Sequence, residues 1–416
     1  MSSDSKTKYL VLVPDGMADP FGHDQNEITP LTAAKTPWMD KMASLGTVGL
    51  ARTVPEEMSP GSDVANLSIM GYSPRDIYTG RAPFEAASMG VGLGENDVAF
   101  RLNLVTLERN FSLMADHSAD HIGSAEAREI VASLAPLVES LGLHLVAGIS
   151  YRHLLVWTDG PVNCVTHPPH DFLGHTIHSR LPSGEGSDLL LRLIIKSWKL
   201  LEQHPVNLRR IQRGQKPANS VWPWGQGRPP KIQTFFERFG KTGAVVAAVD
   251  LVRGIGDYAG LKSIEVPGAT GYLDTNYQGK VGAALEVLTD MDFVFLHVEA
   301  PDEAGHSGQR DLKIKAIEDF DEKIAGPVLE GLKSFDTWRI LLMPDHQTPV
   351  STRVHSSDPV PFIILDSAQW DPAKETARPF TEEIAHKTGL FVPDASKLMS
   401  VLLERETLSE ISEGCH

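Results

Sequence analysis

The sequence predicts an α/β protein with a doubly wound, mostly parallel sheet, interrupted by a smaller inserted α+β domain. Strand-like runs alternate with helical stretches, and this alternation favours a sheet with right-handed crossovers. The runs are short, continuous and apolar, as is typical of strands buried on both faces of a parallel sheet. They lie at Tyr9–Val13, Val245–Val249, Phe293–Val298, Ile340–Met343 and Pro361–Leu365.

Two stretches between the strands show the periodicity of amphipathic helices. In residues 310–332, apolar side chains recur every three or four positions, from Ile314 and Ile317 to Val328, which predicts a helix with one buried face. Residues Asp188–Glu202 form a second predicted helix, which ends before His204-Pro205.

The middle of the chain differs from its flanks. With 416 residues the chain is too long for one small core, so one large domain with an insertion, or two domains, is expected. Residues 106–185 are rich in His, Pro and Gly. We therefore predict a core formed by residues 1–105 and 186–416 and an inserted substrate-binding domain at 106–185.

Composition favours a soluble globular protein and disfavours several classes of partner. Hydrophobic residues make up 41% and charged residues 22% of the chain. A net charge of -16 disfavours binding to nucleic acid or to an anionic membrane. The two cysteines, Cys164 and Cys415, form no disulfide framework, and neither a signal-peptide pattern nor a membrane span is visible. We expect a cytoplasmic protein.

Aspartate and histidine residues follow three of the predicted strands. The carboxyl ends of parallel strands meet at one edge of a sheet, where ligands bind in open α/β proteins. Six such side chains suit two adjacent divalent cations, and mixed Asp/His ligation suits Mn²⁺ or Zn²⁺ better than Ca²⁺. Taken alone, such an aspartate is more often a turn or helix-cap residue and such a histidine a surface or core residue, and only their coincidence favours metal. The six residues are Asp15, Asp302, His306, Asp345, His346 and His355.

Ser62 is a candidate nucleophile. It follows Pro60-Gly61 and precedes Val64, Leu67 and Met70, whose spacing is helical. A serine at a helix start is commonly an N-cap, whereas a serine beside a metal can act as a nucleophile. The residues alone support both interpretations equally.

Five segments together resemble a known family, the 2,3-bisphosphoglycerate-independent phosphoglycerate mutases of the archaeal type, which belong to the alkaline phosphatase superfamily. The segments are PDGMAD, SPGSDVANLSIMGY, GRAPFEAASMGVGL, HVEAPDEAGHSG and LLMPDHQTP. The resemblance covers nearly the whole chain and implies an alkaline-phosphatase-like core with a smaller substrate-binding cap.

The resemblance also implies a set of metal ligands. Asp302, His306 and His355 would hold one metal. Asp15, Ser62, Asp345 and His346 would hold the other, and Ser62 would become phosphorylated.

The implied reaction interconverts 3-phosphoglycerate and 2-phosphoglycerate through that phosphoserine. The implied cofactors are two divalent ions, with Mn²⁺ favoured over Zn²⁺, Co²⁺ or Mg²⁺, and no 2,3-bisphosphoglycerate. The expected partner is a small phosphorylated substrate, with neither nucleic acid nor membrane, and a homo-oligomer is left open.

The inserted domain should supply donors and cations for a carboxylate and a phosphate. Arginine suits bidentate capture of such groups, and a carboxylate such as Asp171 could instead orient a histidine. The alternative for each residue is a solvated surface side chain. The candidates are His117, His121, Arg152, His170, Asp171 and Arg180.

Two departures from the family leave the phosphoryl acceptor open. The chain has ADHSADHIG where many members carry arginines, and Trp224-Gly225 where many have Arg-Gly. The alternative function is a related metal-dependent phosphotransferase or phosphatase on another small substrate, as in a homoserine-kinase-like branch. Trp224 itself is interpreted either as a stacking platform or as part of the core.

Overall fold

The structure is a computed structural model that describes residues 7–22, 28–371, 373, 376 and 378–414. The chain forms two compact units: Met1–Ile77 together with Ile232–His416, and Tyr78–Lys231. Cys415 and the first six residues, on which the cysteine and signal-peptide expectations partly rest, lie outside the described ranges.

The strands and helices are numbered in chain order. The strands are β1 (Lys8–Pro14), β2 (Thr47–Ala51), β3 (Val98–Glu108), β4 (Leu113–Asp116), β5 (His144–Val146), β6 (Arg152–Trp157), β7 (Cys164–Val165), β8 (Ser183–Gly184), β9 (Ser220–Gly227), β10 (Gly243–Val246), β11 (Lys262–Ile264), β12 (Phe293–Val298), β13 (Trp338–Leu342), β14 (Val360–Asp366), β15 (Leu390–Val392) and β16 (Glu413–Gly414). The helices are α1 (Pro30–Ala33), α2 (Pro37–Leu45), α3 (Ser62–Ile69), α4 (Pro74–Ile77), α5 (Ala82–Ser88), α6 (Ser124–Ser140), α7 (Ser187–Glu202), α8 (Pro205–Gln212), α9 (Phe235–Phe239), α10 (Asp250–Tyr258), α11 (Tyr277–Asp290), α12 (Ala300–Ser307), α13 (Arg310–Phe320), α14 (Gly326–Leu332), α15 (Glu382–Lys387), α16 (Leu398–Leu402) and α17 (Leu408–Ile411).

The first unit is built on a sheet with the strand order β11-β10-β12-β1-β13-β14-β2-β15-β16. From β11 to β13 all neighbours are parallel. Strand β14 runs antiparallel to both β13 and β2, so β2 points the same way as β1. The carboxyl ends of β1, β2, β12 and β13 therefore lie at one edge of the sheet.

Helices cover both faces of this sheet. Leu10 and Leu12 of β1 share a core cluster with Val281 of α11, on one face. On the other face, the side chain of Phe293 of β12 stacks on Phe235 of α9, with ring centroids 4.5 Å apart. A sheet covered in this way requires apolar residues on both faces, which explains the continuous apolar runs.

The predicted α/β class and mostly parallel sheet are confirmed, with local differences. Strand β10 ends at Val246 instead of Val249, because residues 247–249 lead into α10. The predicted helix at 310–332 is α13 and α14 joined by a π-helical turn at Asp321–Ala325. Pro327 has no N–H to donate, and a π turn accommodates this irregularity within one helical stretch.

The second unit has its own sheet and core. Strand β3 pairs antiparallel with β6 on one side and with β9 on the other, and its end pairs with β4. Phe100 and Leu102 of β3 pack with Ile130 of α6 and Leu193 of α7 in one cluster. Residues of β3 that point to the opposite face include Arg101 and Asn103, because side chains alternate along a strand.

The second unit spans 78–231, whereas the predicted inserted domain spans 106–185. The difference arises because β3 and β9 pair with each other and not with the parallel sheet. Helix α7, predicted correctly as a helix, packs on β9 and α6 and so belongs to this unit as well. In the described part of the chain, no helix is long and apolar enough to cross a membrane.

A buried lysine ties together loops that follow β1 and β13. Lys313 of α13 is fully buried, and its Nζ donates to the carboxylate of Asp19 and, at 2.8 Å, to the carbonyl of Thr348. The second carboxylate oxygen of Asp19 accepts from the backbone N–H of Val350 at 3.0 Å. The ion pair thus holds two loops at the carboxyl edge of the sheet.

Glu382 extends this network. Its carboxylate accepts from the backbone N–H of Asp19 at 3.1 Å and from the hydroxyl of Thr29 at 2.8 Å. Burial raises the pKa of Glu382 to about 7 from an ordinary value of 4.5. The folded protein therefore binds this proton more tightly than the unfolded chain does.

We predict that Glu382→Gln removes part of the pH dependence of stability. Because the folded pKa is the higher one, the contribution of Glu382 to stability is complete below pH 4.5 and is lost as the pH rises through about 7. Glutamine keeps both hydrogen bonds, since the Thr29 hydroxyl can accept as well as donate. The variant should gain on the order of 3 kcal/mol relative to the unsubstituted chain between pH 5 and pH 8.

Urea unfolding at both pH values measures this difference. Glu383→Gln, the same change at the exposed neighbouring residue, serves as the control. Equal pH slopes for the unsubstituted chain and Glu382→Gln would contradict the prediction.

Candidate metal centre

Acidic residues meet where the strands of the first unit end. Asp15 follows β1, Asp345 follows β13, and Asp302 lies in the first turn of α12, after β12. All three carboxylates are buried. Ser62 is the first residue of α3, the helix that follows β2. The N-cap is Gly61, so Ser62 is not the capping residue of this helix.

The carboxylate of Asp345 is held rigidly. One oxygen accepts from the backbone N–H groups of Gly16 at 3.1 Å and His346 at 2.9 Å. The other accepts from the amide of Asn66 at 2.9 Å. The same amide also donates to the carbonyl of Ser62 at 2.8 Å, so Asn66 fixes Ser62 relative to Asp345.

Gly16 is required at the turn after β1. Its φ of +62° is in the left-handed region, and a Cβ there would lie 2.5 Å from Asp302 Oδ1 and 2.8 Å from Asp302 Cα. Only glycine allows the two loops to approach this closely.

His346 connects Ser62 to two of the carboxylates. Its Nε2 lies 3.1 Å from Ser62 Oγ, 3.5 Å from Asp345 Oδ2 and 3.6 Å from Asp15 Oδ1. Its Nδ1 lies 3.2 Å from the hydroxyl of Thr348. The His346 ring therefore presents Nε2 to the carboxylates, while its Nδ1 contacts Thr348 on the opposite edge of the ring.

A second cluster forms around Asp302. His306 Nε2 lies 3.2 Å from Asp302 Oδ2, and His355 Nε2 lies 3.4 Å from Asp302 Oδ1. The two Nε2 atoms are 2.9 Å apart, and His306 Nδ1 bonds to the carbonyl of Arg353 at 2.9 Å. Backbone support of Nδ1 is what fixes a histidine to present Nε2 to a metal.

The charges in the centre perturb one another. Burial, followed by the negative charges of Asp345 and Asp302, raises the pKa of Asp15 well above its ordinary value. Burial lowers the pKa of His346 to about 4, despite the charge of Asp345. Burial also disfavours protonated His306, but its hydrogen bond with Asp302 and the charge of that carboxylate raise the pKa to about 9.

These residues fit divalent cations. Within the described ranges, three groups have ligand atoms within 4.8 Å of one another: Asp302, His346 and His355; Asp15, Asp345 and His346; and Asp15, Glu299 and Asp302. Oδ1 of Asp15 is buried and forms no hydrogen bond with any described residue. A buried carboxylate oxygen without a partner is costly, and a cation would stabilise it.

Two residues near this centre escaped the sequence analysis. Glu299 belongs to one of the three groups, and a Cβ at Gly271 would lie 2.3 Å from its Oε2. His297 is fully buried and its Nε2 lies 3.0 Å from Asp15 Oδ2. Both lie in the stretch HVEAPDEAGHSG, but His297 is inside strand β12 and so resembles a core residue in the sequence.

The second unit holds a separate cluster of basic and aromatic side chains. Arg101 of β3 is buried, lies 2.9 Å from Glu85 and stacks over Trp224 of β9 with its Cζ 4.4 Å from the ring centroid. Burial lowers the pKa of Arg101 to about 10, so it stays charged near neutral pH. The Trp224 Nε1–H donates to Asn103 at 3.0 Å, and Asn103 in turn donates to the His117 carbonyl.

Four of the predicted substrate residues gather around this arginine and its aromatic neighbours. His170 lies 5.2 Å from Trp224 and 6.0 Å from His117, measured between ring centroids. His117 and His121 both contact Tyr151, and the Arg152 Cζ lies 5.8 Å from that ring.

The other two predicted substrate residues lie at the margin of this group. Asp171 Oδ1 is 3.6 Å from His170 Nε2. Arg180 is exposed and ends the short 3-10 helix His178–Arg180. Arg101 was not among the residues predicted from the sequence. It lies within an apolar run, and such a run indicates a core strand and not a binding site.

Comparison with known proteins identifies the family. The family model for 2,3-bisphosphoglycerate-independent phosphoglycerate mutase matches residues 43–207. A probable enzyme of that name from Geobacter sulfurreducens is 50% identical, with 96% of this chain and 100% of the relative aligned. The corresponding protein of Methanosarcina barkeri is 51% identical, over 95% of this chain and 99% of its own.

Solved structures agree with the sequence relatives. The PH0037 protein from Pyrococcus horikoshii matches with a TM-score of 0.79 and 32% identity, covering 96% of this chain and 98% of that one. The cofactor-independent phosphoglycerate mutase from Thermoplasma acidophilum has the same fold, with a TM-score of 0.60, 23% identity and coverage of 96% and 99%. With relatives half identical along nearly its whole length, the chain belongs to the family of 2,3-bisphosphoglycerate-independent phosphoglycerate mutases.

Proposed function

We propose that the protein interconverts 3-phosphoglycerate and 2-phosphoglycerate through a phosphoserine at Ser62. The observation that carries this proposal is the position of Ser62 Oγ, 3.1 Å from His346 Nε2 and beside the buried aspartates. The relatives that are half identical to this chain bear the mutase name, which supports the same reaction.

The proposed centre holds two divalent cations. Asp15, Asp345, His346 and Ser62 would hold one, and Asp302, His306 and His355 the other. When bound, the cations stabilise negative charge on the serine oxygen and on the transferring phosphoryl group. Mn²⁺ suits the mixed Asp/His ligands best, with Zn²⁺, Co²⁺ and Mg²⁺ as alternatives.

The chain's own residues would perform a two-step transfer. Ser62 Oγ loses its proton and bonds to phosphorus while the bond from phosphorus to O3 of the substrate breaks and O3 gains a proton. The glycerate then turns, its 2-hydroxyl loses a proton and bonds to phosphorus, and Ser62 Oγ leaves and is reprotonated. Asn66 would keep Ser62 in place through its bond to the Ser62 carbonyl.

In the second unit, we propose that Arg101 and Arg152 bind an anionic group of the substrate, with His117, His121 and His170 as further donors. Arg101 is held by Glu85 and Trp224, so its guanidinium is ordered before substrate arrives. Asp171 would orient His170, at 3.6 Å, and Arg180 would contribute positive charge only.

The remaining expectations stay predictions. We propose that the protein works in the cytoplasm, on a small phosphorylated substrate, without nucleic acid or membrane. A homo-oligomer remains compatible with the sequence.

The function is tested by incubating the Mn²⁺-loaded protein with 3-phosphoglycerate and coupling the product to enolase. Formation of 2-phosphoglycerate supports the mutase. Release of free phosphate without 2-phosphoglycerate would favour the related phosphatase, and no reaction on either route would contradict the proposal.

We predict that Ser62→Ala lowers kcat by at least about 10⁴-fold while the fold is retained, because loss of a nucleophile removes the covalent route. Phosphoryl transfer from labelled substrate to the protein, read by mass spectrometry, should disappear at the same time. Ser140→Ala, at an exposed serine of α6, is the matched control. Normal turnover of Ser62→Ala would remove Ser62 from the mechanism.

His355→Ala should reduce bound metal from two to about one equivalent per chain, because it takes away one of three side chains around one ion. Elemental analysis after gel filtration measures the ratio. His386→Ala, at an exposed histidine of the same unit, should retain both ions. Two equivalents in His355→Ala would contradict the assignment of this ligand.

Arg101→Lys should raise KM for 3-phosphoglycerate about 10-fold with a smaller change in kcat. Lysine keeps the charge but loses the planar fork and its fit over Trp224. A tenfold change corresponds to about 1.4 kcal/mol of binding. Arg192→Lys, on the exposed side of α7, is the control, and an unchanged KM in Arg101→Lys would count against the proposed anion site.

A further inference from the structure

We infer that His297 is a positioning residue for Asp15: its ring holds one carboxylate oxygen so that the other faces the proposed cations. This inference rests on the proposed two-metal centre and adds a residue to it that neither the sequence analysis nor the ligand clusters include.

The two oxygens of Asp15 have different surroundings. Oδ2 lies 3.0 Å from Nε2 of His297, and both side chains are almost completely buried. Oδ1 lies 3.6 Å from His346 Nε2 and forms no hydrogen bond within the described residues. The imidazoles of His297 and His346 thus contact different oxygens of the Asp15 carboxylate.

The backbone of His297 is fixed from two directions. In the sheet, His297 of β12 lies beside Val13 of β1, two residues before Asp15. Its carbonyl accepts from Nζ of Lys280, a fully buried lysine of α11, at 2.9 Å. The His297 ring therefore contacts Asp15 from a backbone position that is fixed by the sheet and by Lys280.

Two other roles for His297 are weaker. The proposed ligands His306 and His355 contact both Asp302 and each other, whereas Nε2 of His297 contacts the carboxylate of Asp15, which favours a role behind that ligand. A core-filling role would favour an apolar residue, because burying two ring nitrogens without partners is costly. Among the described residues neither ring nitrogen has hydrogen-bond geometry, and Nε2 makes a polar contact with Asp15 Oδ2 at 3.0 Å.

If His297 positions a metal ligand, its ring N–H donor should affect the affinity of the centre for metal. Groups that hold a ligand from behind change metal affinity by about 10–100-fold when they are removed. His297→Gln places an amide nitrogen near the position of Nε2 and keeps the donor. His297→Asn reaches only as far as Nδ1, and His297→Leu removes the donor while keeping most of the volume.

The experiment titrates the full-length chain and each variant with Co²⁺ and follows visible absorption and calorimetric heat. The unsubstituted chain should bind two ions. His297→Leu and His297→Asn should each bind one ion about 10–100-fold more weakly and leave the other nearly unchanged, whereas His297→Gln should recover most of the loss. The absorption of Co²⁺ at the His306/His355 position should be the signal that is retained.

The matched control is His153→Leu in the second unit, another buried histidine whose Nε2 forms no hydrogen bond with a described residue. This variant should bind both ions as the unsubstituted chain does, even if its thermal midpoint falls. The His297→Asn and His297→Gln pair tests the role even where His297→Leu fails to fold.

The outcomes separate this inference from the proposed function. An unsubstituted chain that binds no pair of ions overturns both. If the unsubstituted chain binds two ions and His297→Asn binds them with the same affinity, the positioning role alone is overturned. Equal losses in His297→Gln and His297→Asn also overturn it, because they would reflect packing and not the donor.

Discussion

The concentration of buried negative charge at the ends of parallel strands is the constraint around which the first unit is organised. Asp15, Asp302 and Asp345 are each buried, and the negative charges of Asp345 and Asp302 add to burial in raising the pKa of Asp15. A protein can keep such a group only by supplying donors or a cation. Asp345 receives three donors, whereas Oδ1 of Asp15 receives none from the described residues, so the imbalance falls at the place where a cation would bind.

The surrounding loops hold this arrangement in place by means other than the carboxylates themselves. Thr348 donates its hydroxyl to Asp302 and lies beside His346, while its carbonyl accepts from buried Lys313. Lys313 also pairs with Asp19, whose backbone N–H is held by Glu382. Charge repulsion in the centre is therefore opposed by an ion-pair network that lies outside it. A network of this kind is costly to break, because a lone buried charge would remain.

The parts of this centre that could be predicted from the sequence are those governed by local rules. Asp15 and Asp345 directly follow apolar strands, and Asp302 and His306 are four residues apart in one helical turn, so each could be found without knowing the strand order. The position of β14, antiparallel between β13 and β2, could not, because an apolar run buried on both faces looks the same in either direction.

Other features depend on long-range pairing and were missed for that reason. His297 and Arg101 sit inside strands, where the local pattern indicates a core residue, and only the neighbouring strand reveals what each one faces. The predicted boundaries of the inserted domain, 106 and 185, lie inside those of the second unit for the same reason. Strand β3 reads like another strand of the parallel sheet, and its pairing with β9, more than a hundred residues later, cannot be seen in the local sequence.

The pairing of β3 with β9 also bears on the substrate. From the family resemblance we expected an arginine at the position of Trp224, and its absence left the phosphoryl acceptor open. In the structure, the guanidinium of Arg101 lies over the ring of Trp224 on the adjacent strand, so a cation is present beside this tryptophan. In a chain with a net charge of -16, an anion can be held only where such a local cation outweighs the overall field. The guanidinium of Arg101, placed between an aromatic face and the carboxylate of Glu85, is the kind of local cation that this proposal needs.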